Sequence, residues 1–328
     1  MASLVARDAE REQAPGLGHA AFIGALVAVA IAVFFATRAV GNSYAFFVAY
    51  VVVQYMVLGT AWNILGGYTG YVNFGVTAFF AIGAYSTVVL HKVTPWMPLP
   101  AMVLIGGALA ALVGLGTGYL TLRLRGVFFS IATLALAVVV QTLITNWDFV
   151  GGARGAYVMR PKLAPLIGVE YIQYLFLVML GMCVVALATA RAIERSALGF
   201  GFAAIRDDEA AAEASGVPTQ RLKLIATALS GGFMGMAGAP LPYYVTYLDP
   251  SSGFSLNYAV NAIAMPLIGG TASWLGPVVG AVLVGGLQEW IRVTISSSAN
   301  VLVAGVLMVA FVILAPQGIV GLFQRSKR

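Results

Sequence analysis

Apolar runs long enough to cross a bilayer follow one another along almost the whole chain, separated by short polar stretches. A helix needs roughly 20 mostly apolar residues to cross about 30 Å of hydrocarbon. Ten segments answer to that: residues 20–37, 43–64, 73–90, 99–120, 127–145, 172–190, 223–246, 257–271, 276–295 and 299–315. The runs are continuous rather than alternating, so they predict helices and not barrel strands. Charged residues make up 9% of the 328 and hydrophobic ones 60%, where a soluble domain carries about 25% charge. The expected fold class is therefore an all-α integral membrane protein with about ten transmembrane helices. No polar stretch is long enough for a separate soluble core. The expected organisation is a cytoplasmic tail over 1–18, one membrane domain over 19–322 and a basic cytoplasmic tail over 323–328.

The net charge of +6 belongs to topology rather than to nucleic acid. With an even number of spans and the N-terminus inside, twelve basic residues fall on inner segments. They are Arg7, Arg11, Arg123, Arg125, Arg191, Arg195, Arg206, Arg221, Lys223, Arg325, Lys327 and Arg328. Six fall on outer segments and span edges: Arg38, Lys92, Arg154, Arg160, Lys162 and Arg292. Both termini are then cytoplasmic. The N-terminus mixes Arg7 and Arg11 with Asp8, Glu10 and Glu12, which is a poor start for a signal peptide.

Three stretches differ from plain membrane anchor. The first is "LGGYTGYVNFG", Leu65 to Gly75. Backbone that leaves the helix at membrane depth must be buried in protein or line a wet cavity. Asn63, Tyr68, Thr69, Tyr71 and Asn73 could supply hydrogen bonds along a solute path, and an ordinary tight loop is the alternative. The second runs from Tyr247 to Pro277, where "LDPSSG" and "GGTASWLGP" flank a short apolar piece holding Asn257, Asn261 and Pro266. Short, interrupted segments in the two halves of a transporter often mark the substrate path. The third is the inner loop 191–223. Its residues 205–215 predict one short, charged, Ala-rich helix stopped by Gly216 and Pro218. That helix is either a solvated surface element or a docking knob for a cytosolic partner.

Small residues four apart, at Ala110, Gly114 and Gly118, at Gly231, Gly235 and Ala239, and at Gly276 and Gly280, predict close helix packing. Trp96, Trp147, Tyr171, Tyr174 and Trp274, near span ends, are expected as interfacial anchors. Glu289 and Arg292, three apart, are expected to pair or to snorkel. Cys183 is the sole cysteine, and His19 and His91 form no site, so no metal or catalytic constellation emerges. The near absence of intramembrane charge argues against a proton-driven carrier. No G-x-x-x-x-G-K-[ST] is present, so an ATP-driven role would need a separate ATPase.

"AWNILGGYTGYVNFGVTAFFAIGAY" (61–85), "LRLRGVFFSIATLAL" (122–136), "GFAAIRDDEAAAEASGV" (201–217), "PLIGGTASWLGPVVGA" (266–281) and "APQGIVGL" (315–322) stand in one order along the chain. Together they resemble LivM-type permeases, the membrane subunits of branched-chain amino-acid ABC importers and their relatives for urea, amides and neutral amino acids. The resemblance implies a permease fold of the vitamin B12/ribose importer type and no enzymatic activity in this chain. It implies a second homologous permease subunit, two ABC ATPase subunits that bind ATP and Mg, and a periplasmic solute-binding protein. This chain itself would carry no cofactor and would sit in the bacterial inner membrane. Residues 201–217 would be the ATPase-coupling region, through Arg206, Asp207, Asp208, Glu209, Glu213 and Gly216. Tyr68, Thr69, Tyr71, Asn73 and Phe74 would then be the candidate lining of the solute path. Two departures stand out. Glu209-Ala210-Ala211 lies one residue too far from Gly216 for the usual Glu-Ala-Ala-x-x-x-Gly, and Tyr71 and Asn73 replace a common glutamine and serine. The solute is left open, and a stand-alone secondary transporter or channel is the alternative function.

Overall fold

A computed structural model describes residues 18–121, 126–160, 169–294, 305–306 and 318–325. The described elements are α1 (His19–Ala39), α2 (Ser43–Thr69), α3 (Val76–Val93), α4 (Leu99–Thr121) and α5 (Val127–Thr145). Then come β1 (Ala156–Tyr157), α6 (Tyr171–Glu194), α7 (Ala197–Asp207), α8 (Glu209–Ala214) and α9 (Thr219–Gly238). The chain goes on through α10 (Leu241–Val245), β2 (Tyr247–Leu248), α11 (Pro250–Gly253), α12 (Leu256–Gly269), α13 (Leu275–Gly280), α14 (Gly286–Thr294) and α15 (Gly318–Arg325).

Seven helices among the described residues are long and apolar enough to cross a membrane: α1 to α6, and α9 continued through α10 to Val245. The predicted span 257–271 appears as the 14-residue α12, which at 1.5 Å per residue reaches only about 21 Å. Pro266 lies inside it and Gly270 ends it at φ +118°. The predicted span 276–295 forms α13 and α14, joined through a π turn at Ala281–Gly285. Apart from residues 305–306, the predicted span 299–315 lies outside the described residues, as do residues 1–17 of the predicted tail.

The centre is built on small residues. α9 buries 72% of its most apolar window, against 11% for α1 and 22% for α5. Gly235 of α9 abuts Ala110 of α4, and a Cβ on Gly83 of α3 would overlap the Gly235 carbonyl. A Cβ on Gly238 would overlap the carbonyl of Phe80. Three helices thus touch backbone to backbone, as the small-residue spacing predicts. Gly276 and Gly280 serve the same end against Gly270 and Met265. α2, 27 residues and about 40 Å long, runs antiparallel to α9: Gln54 Nε2, near the middle of α2, donates to the Ala237 carbonyl at 3.0 Å, and Tyr71, just past the C-terminal end of α2, meets Lys223.

α1 attaches through side chains. Phe34 stacks on Phe176 of α6, and Phe22 meets Trp274 edge-on under the Arg191 guanidinium. At the end opposite the 191–223 loop, β1 and β2 pair antiparallel, Ala156 with Leu248 and Tyr157 with Tyr247. Tyr171 and Tyr174, expected as surface anchors, are instead buried there; Tyr171 packs against Tyr174 and Tyr243. Trp96 and Trp147 are the exposed members of the set, at 80% and 47%.

Candidate functional site

The stretch Leu65–Gly75 is only half a break. α2 continues to Thr69, and the chain leaves the helix at Gly70, whose φ of +77° favours glycine. Gly66 and Gly67 remain helical. A Cβ at Gly66 would run into the Trp62 ring, and one at Gly67 would overlap the Asn63 side chain and meet the Thr271 carbonyl at 2.9 Å. Those two glycines therefore serve close approach, and only residues 70–75 are loop.

Side chains satisfy much of that loop's backbone, as buried polar backbone requires. Trp62 Nε1 donates to the Asn73 carbonyl at 2.9 Å, and Ser130 Oγ donates to the Val72 carbonyl at 2.8 Å. The Phe74 amide donates to Thr133 Oγ1 at 3.1 Å. Asn73 Oδ1 accepts the Gly75 amide at 2.7 Å, an Asx turn that leads into α3. Thr69 Oγ1 is spent on its own helix, donating to the Leu65 carbonyl at 2.6 Å. Asn73 and Thr69 are buried and Phe74 is exposed.

Two carboxylates knit this loop to its surroundings. Tyr68 Oη donates to Glu194 Oε1 at 2.8 Å, at the end of α6, and the same oxygen accepts the Trp274 amide. Glu194 thereby joins the 70–75 loop region to the second break, residues 270–274. Tyr71 Oη donates to Glu209, the first residue of α8. Lys223 Nζ reaches Glu209 Oε1 at 2.6 Å and Tyr71 Oη at 3.2 Å, and lies 4.8 Å from the Tyr71 ring centroid. The Tyr71 ring also meets Phe129 of α5 edge-on.

The predicted helix over 205–215 is two helices. Asp208 breaks it and caps α8, its Oδ1 accepting the Ala210 and Ala211 amides at 2.9 and 3.0 Å. Gly216, at φ +86°, ends α8: the Val217 amide returns to the Ala212 carbonyl and the Gly216 amide to that of Glu213. α7 is fixed by buried Phe202 and Ile205. Of the six predicted coupling residues, Arg206, Asp207, Asp208, Glu213 and Gly216 are exposed. Arg206 lies over Gly70, whose added Cβ would meet Arg206 Cγ at 3.2 Å, and pairs with Asp207 at 3.4 Å. Glu209 turns inward to Lys223.

Asn257 and Asn261 stand elsewhere. They line a cavity of about 540 Å³ between α2, α10, the 251–255 turn, α12 and α14, in the half remote from the 191–223 loop. Buried Gln288 donates through Nε2 to Asn261 Oδ1 at 2.9 Å. Arg292 lines the cavity and pairs at 2.8 Å with buried Glu289, the pairing expected from their spacing. Asp249 caps α11 beside the cavity, accepting from the hydroxyls and amides of Ser251 and Ser252. Those bonds, the Ser251 hydroxyl's first, hold its carboxyl below the usual aspartate value. The predicted path residues thus form two separate groups, one beside the 191–223 loop and one in a cavity that reaches to about the middle of α2. Gln54, Gln288 and Lys223, missed as site residues from sequence, are polar positions inside apolar helices, and that contrast was the available signal. Among the described residues, no group of three His, Cys, Asp or Glu side chains is placed to hold a metal.

Comparison with known proteins agrees with this architecture. Residues 44–312 match the family model described as the branched-chain amino acid transport system / permease component. The high-affinity branched-chain amino acid transport system permease protein LivM of Escherichia coli is 30% identical over 81% of this chain and 67% of its own length. The autoinducer 2 import system permease protein LsrC of Klebsiella pneumoniae is 29% identical over 53% of this chain and 50% of its own. The ribose import permease protein RbsC of Haemophilus influenzae is 28% identical over 34% and 36%. No solved structure matches the chain. With an extended family match, a LivM relative over most of its length and seven helices able to cross a membrane, this chain belongs to the family of branched-chain amino acid transport permease components.

Proposed function

We propose that this chain is the membrane-spanning permease subunit of a binding-protein-dependent ABC importer that moves a small polar solute, with branched-chain amino acids in the candidate set, across the bacterial inner membrane. Two separate ATPase subunits supply ATP hydrolysis and hold ATP and Mg, so this chain needs no cofactor of its own. A second homologous permease completes a heterodimer, and a periplasmic binding protein delivers the solute. The complete fold is a ten-helix permease of the vitamin B12/ribose importer type, with both termini cytoplasmic.

One observation carries this reading. The 191–223 loop is a folded two-helix unit with Asp207, Asp208 and Glu213 on its surface and Glu209 tied inward to the 70–75 loop. Exposed charges on a rigid knob suit docking, where rim charges set register and on-rate. The inward tie suits transmission of a docking event into the membrane helices. The relatives' printed names, each a transport permease, support the same assignment.

The test is purification from native membranes in mild detergent, with every co-purifying chain identified by mass. Two P-loop ATPases and a second permease are expected. The double charge reversal Asp207→Lys/Glu213→Lys should release the ATPases while the permease stays monodisperse. A chain that purifies alone and moves solute in liposomes without ATP would refute the proposal and favour a stand-alone transporter.

A further inference from the structure

The cavity between α2, α12 and α14 is larger than a small solute needs, and its lining mixes polar groups with a slightly larger share of apolar surface. The apolar part comes from Val51, Leu241, Val260 and the tyrosine rings, and the polar part from the amides, the serines and Arg292. Three buried amide side chains face one another across helices there: Gln54 on α2, Asn261 on α12 and Gln288 on α14. Burying three amides in a membrane bundle is costly unless they hydrogen-bond. Gln54 is anchored to the Ala237 carbonyl and Gln288 to Asn261, so they are held in place.

The charges in this region are unequal in what they offer. Glu289 is buried and pairs with Arg292. The Arg292 side chain is 42% exposed and lines the cavity, with one guanidinium nitrogen on Glu289. A guanidinium has five N–H donors in a planar fork suited to a carboxylate. The nearby carboxyl of Asp249 is occupied by Ser251 and Ser252. The cavity therefore presents a held cationic donor and no comparably placed anion among its lining residues.

We propose that this cavity is a solute waypoint selective for small carboxylates whose remainder forms hydrogen bonds, with Arg292 receiving the carboxylate and the Asn261–Gln288 pair reading the polar remainder. The proposal rests on the permease reading and narrows its solute class. Neutral urea and simple amides gain no charge-assisted bond from Arg292. A branched hydrocarbon side chain desolvates Asn261 and Gln288 without replacing their water contacts. Binding here is weak, since conduction requires release.

The test uses a reporter thiol and needs neither transport nor ATPase. Val260→Cys places a thiol on the cavity wall, and the sole native thiol, buried Cys183, supplies the background rate. The rate of N-ethylmaleimide labelling of this chain, purified in full length and read by its own mass, is measured with asparagine, leucine or urea. By mass action, a solute at twice its dissociation constant slows labelling about threefold. Asparagine should slow it most, leucine less, and urea not at all. The double variant Glu289→Gln/Arg292→Gln removes both charges together, so no buried charge is stranded, and it should abolish asparagine protection. Should that variant fail to fold, Gln288→Met keeps both charges and should bring asparagine protection down to the leucine level. Urea protecting as well as asparagine, leucine protecting better, protection surviving the variant that folds, no protection by any solute, or a thiol that does not label would each overturn the proposal. None of these outcomes depends on whether ATPases co-purify, so failure of the waypoint and failure of the permease reading are separable.

Discussion

The Glu209–Lys223 pair lends itself to a double-mutant cycle whose asymmetry follows from burial. The Lys223 side chain is 4% exposed and that of Glu209 15%. Removing one partner of a buried pair strands the other, at a cost of about 3–5 kcal/mol when burial is complete. Glu209→Gln strands the more deeply buried charge and should cost about 3 kcal/mol, while Lys223→Met strands a carboxylate nearer to water and should cost about 2 kcal/mol. The double variant strands nothing. It should cost about 2 kcal/mol less than the sum of the singles, within the range seen for contacting residues. At about 2 °C per kcal/mol for a chain of this size, Glu209→Gln lowers the melting midpoint by about 6 °C and Lys223→Met by about 4 °C. The assay is thermal unfolding of the purified permease at one fixed scan rate, since membrane proteins of this kind unfold irreversibly. Additive singles, or Lys223→Met being the worse of the two, would refute the assignment of a buried, coupled pair.

Two further outcomes are expected. Gly83→Ala drives a methyl into the Gly235 carbonyl and should lose monodisperse protein on size-exclusion chromatography, whereas Gly116→Ala, with nothing within 4 Å of the added Cβ, should behave as wild type. Asp249 is held below its ordinary value of 3.8 by serine hydrogen bonds. A depressed carboxyl contributes stability above its unfolded value and loses it as pH falls through the folded one. Thermal stability should therefore be insensitive to Asp249→Asn substitution only in strong acid; between about pH 5 and 8 the variant should melt lower by a constant amount.

Several features were legible in the sequence because one local rule decided each. The scarcity of charge identified a membrane bundle, and small residues at spacing four located the α4–α9 contact through Ala110 and Gly235. Glu289 and Arg292 pair as their spacing predicts. Other features depend on what lies opposite. Gly66 and Gly67 look like helix breakers in isolation, yet Trp62, Asn63 and Thr271 require them inside a helix. The split at Asp208 had a local signal, an acidic N-cap before Glu209-Ala210-Ala211, hidden by the high helix propensity around it. Tyr171 and Tyr174 sit near a span end as interfacial anchors do, but the α10 segment covers them with Tyr243. Lys223 counted as an ordinary topology charge because its partner lies 14 residues back, beyond the Gly216–Pro218 turn. The remoteness of Asn257 and Asn261 from Tyr68 and Tyr71 is a property of the packed bundle that no single segment encodes.

The glycine-mediated junction of α3, α4 and α9 has a mechanical consequence. Helices held apart by long side chains can slide, because rotamers adjust to take up the displacement. Where backbones meet directly at Gly83, Gly235 and Gly238, there are no side chains to adjust, and a small slip drives carbonyls into Cα atoms. These three helices must travel as one rigid body. Whatever rearrangement accompanies a transport cycle then falls to the joints at its margins: the side-chain seams that hold α1 and α5, and the hydrogen-bonded hinges where Glu194 and Glu209 grip the two loops.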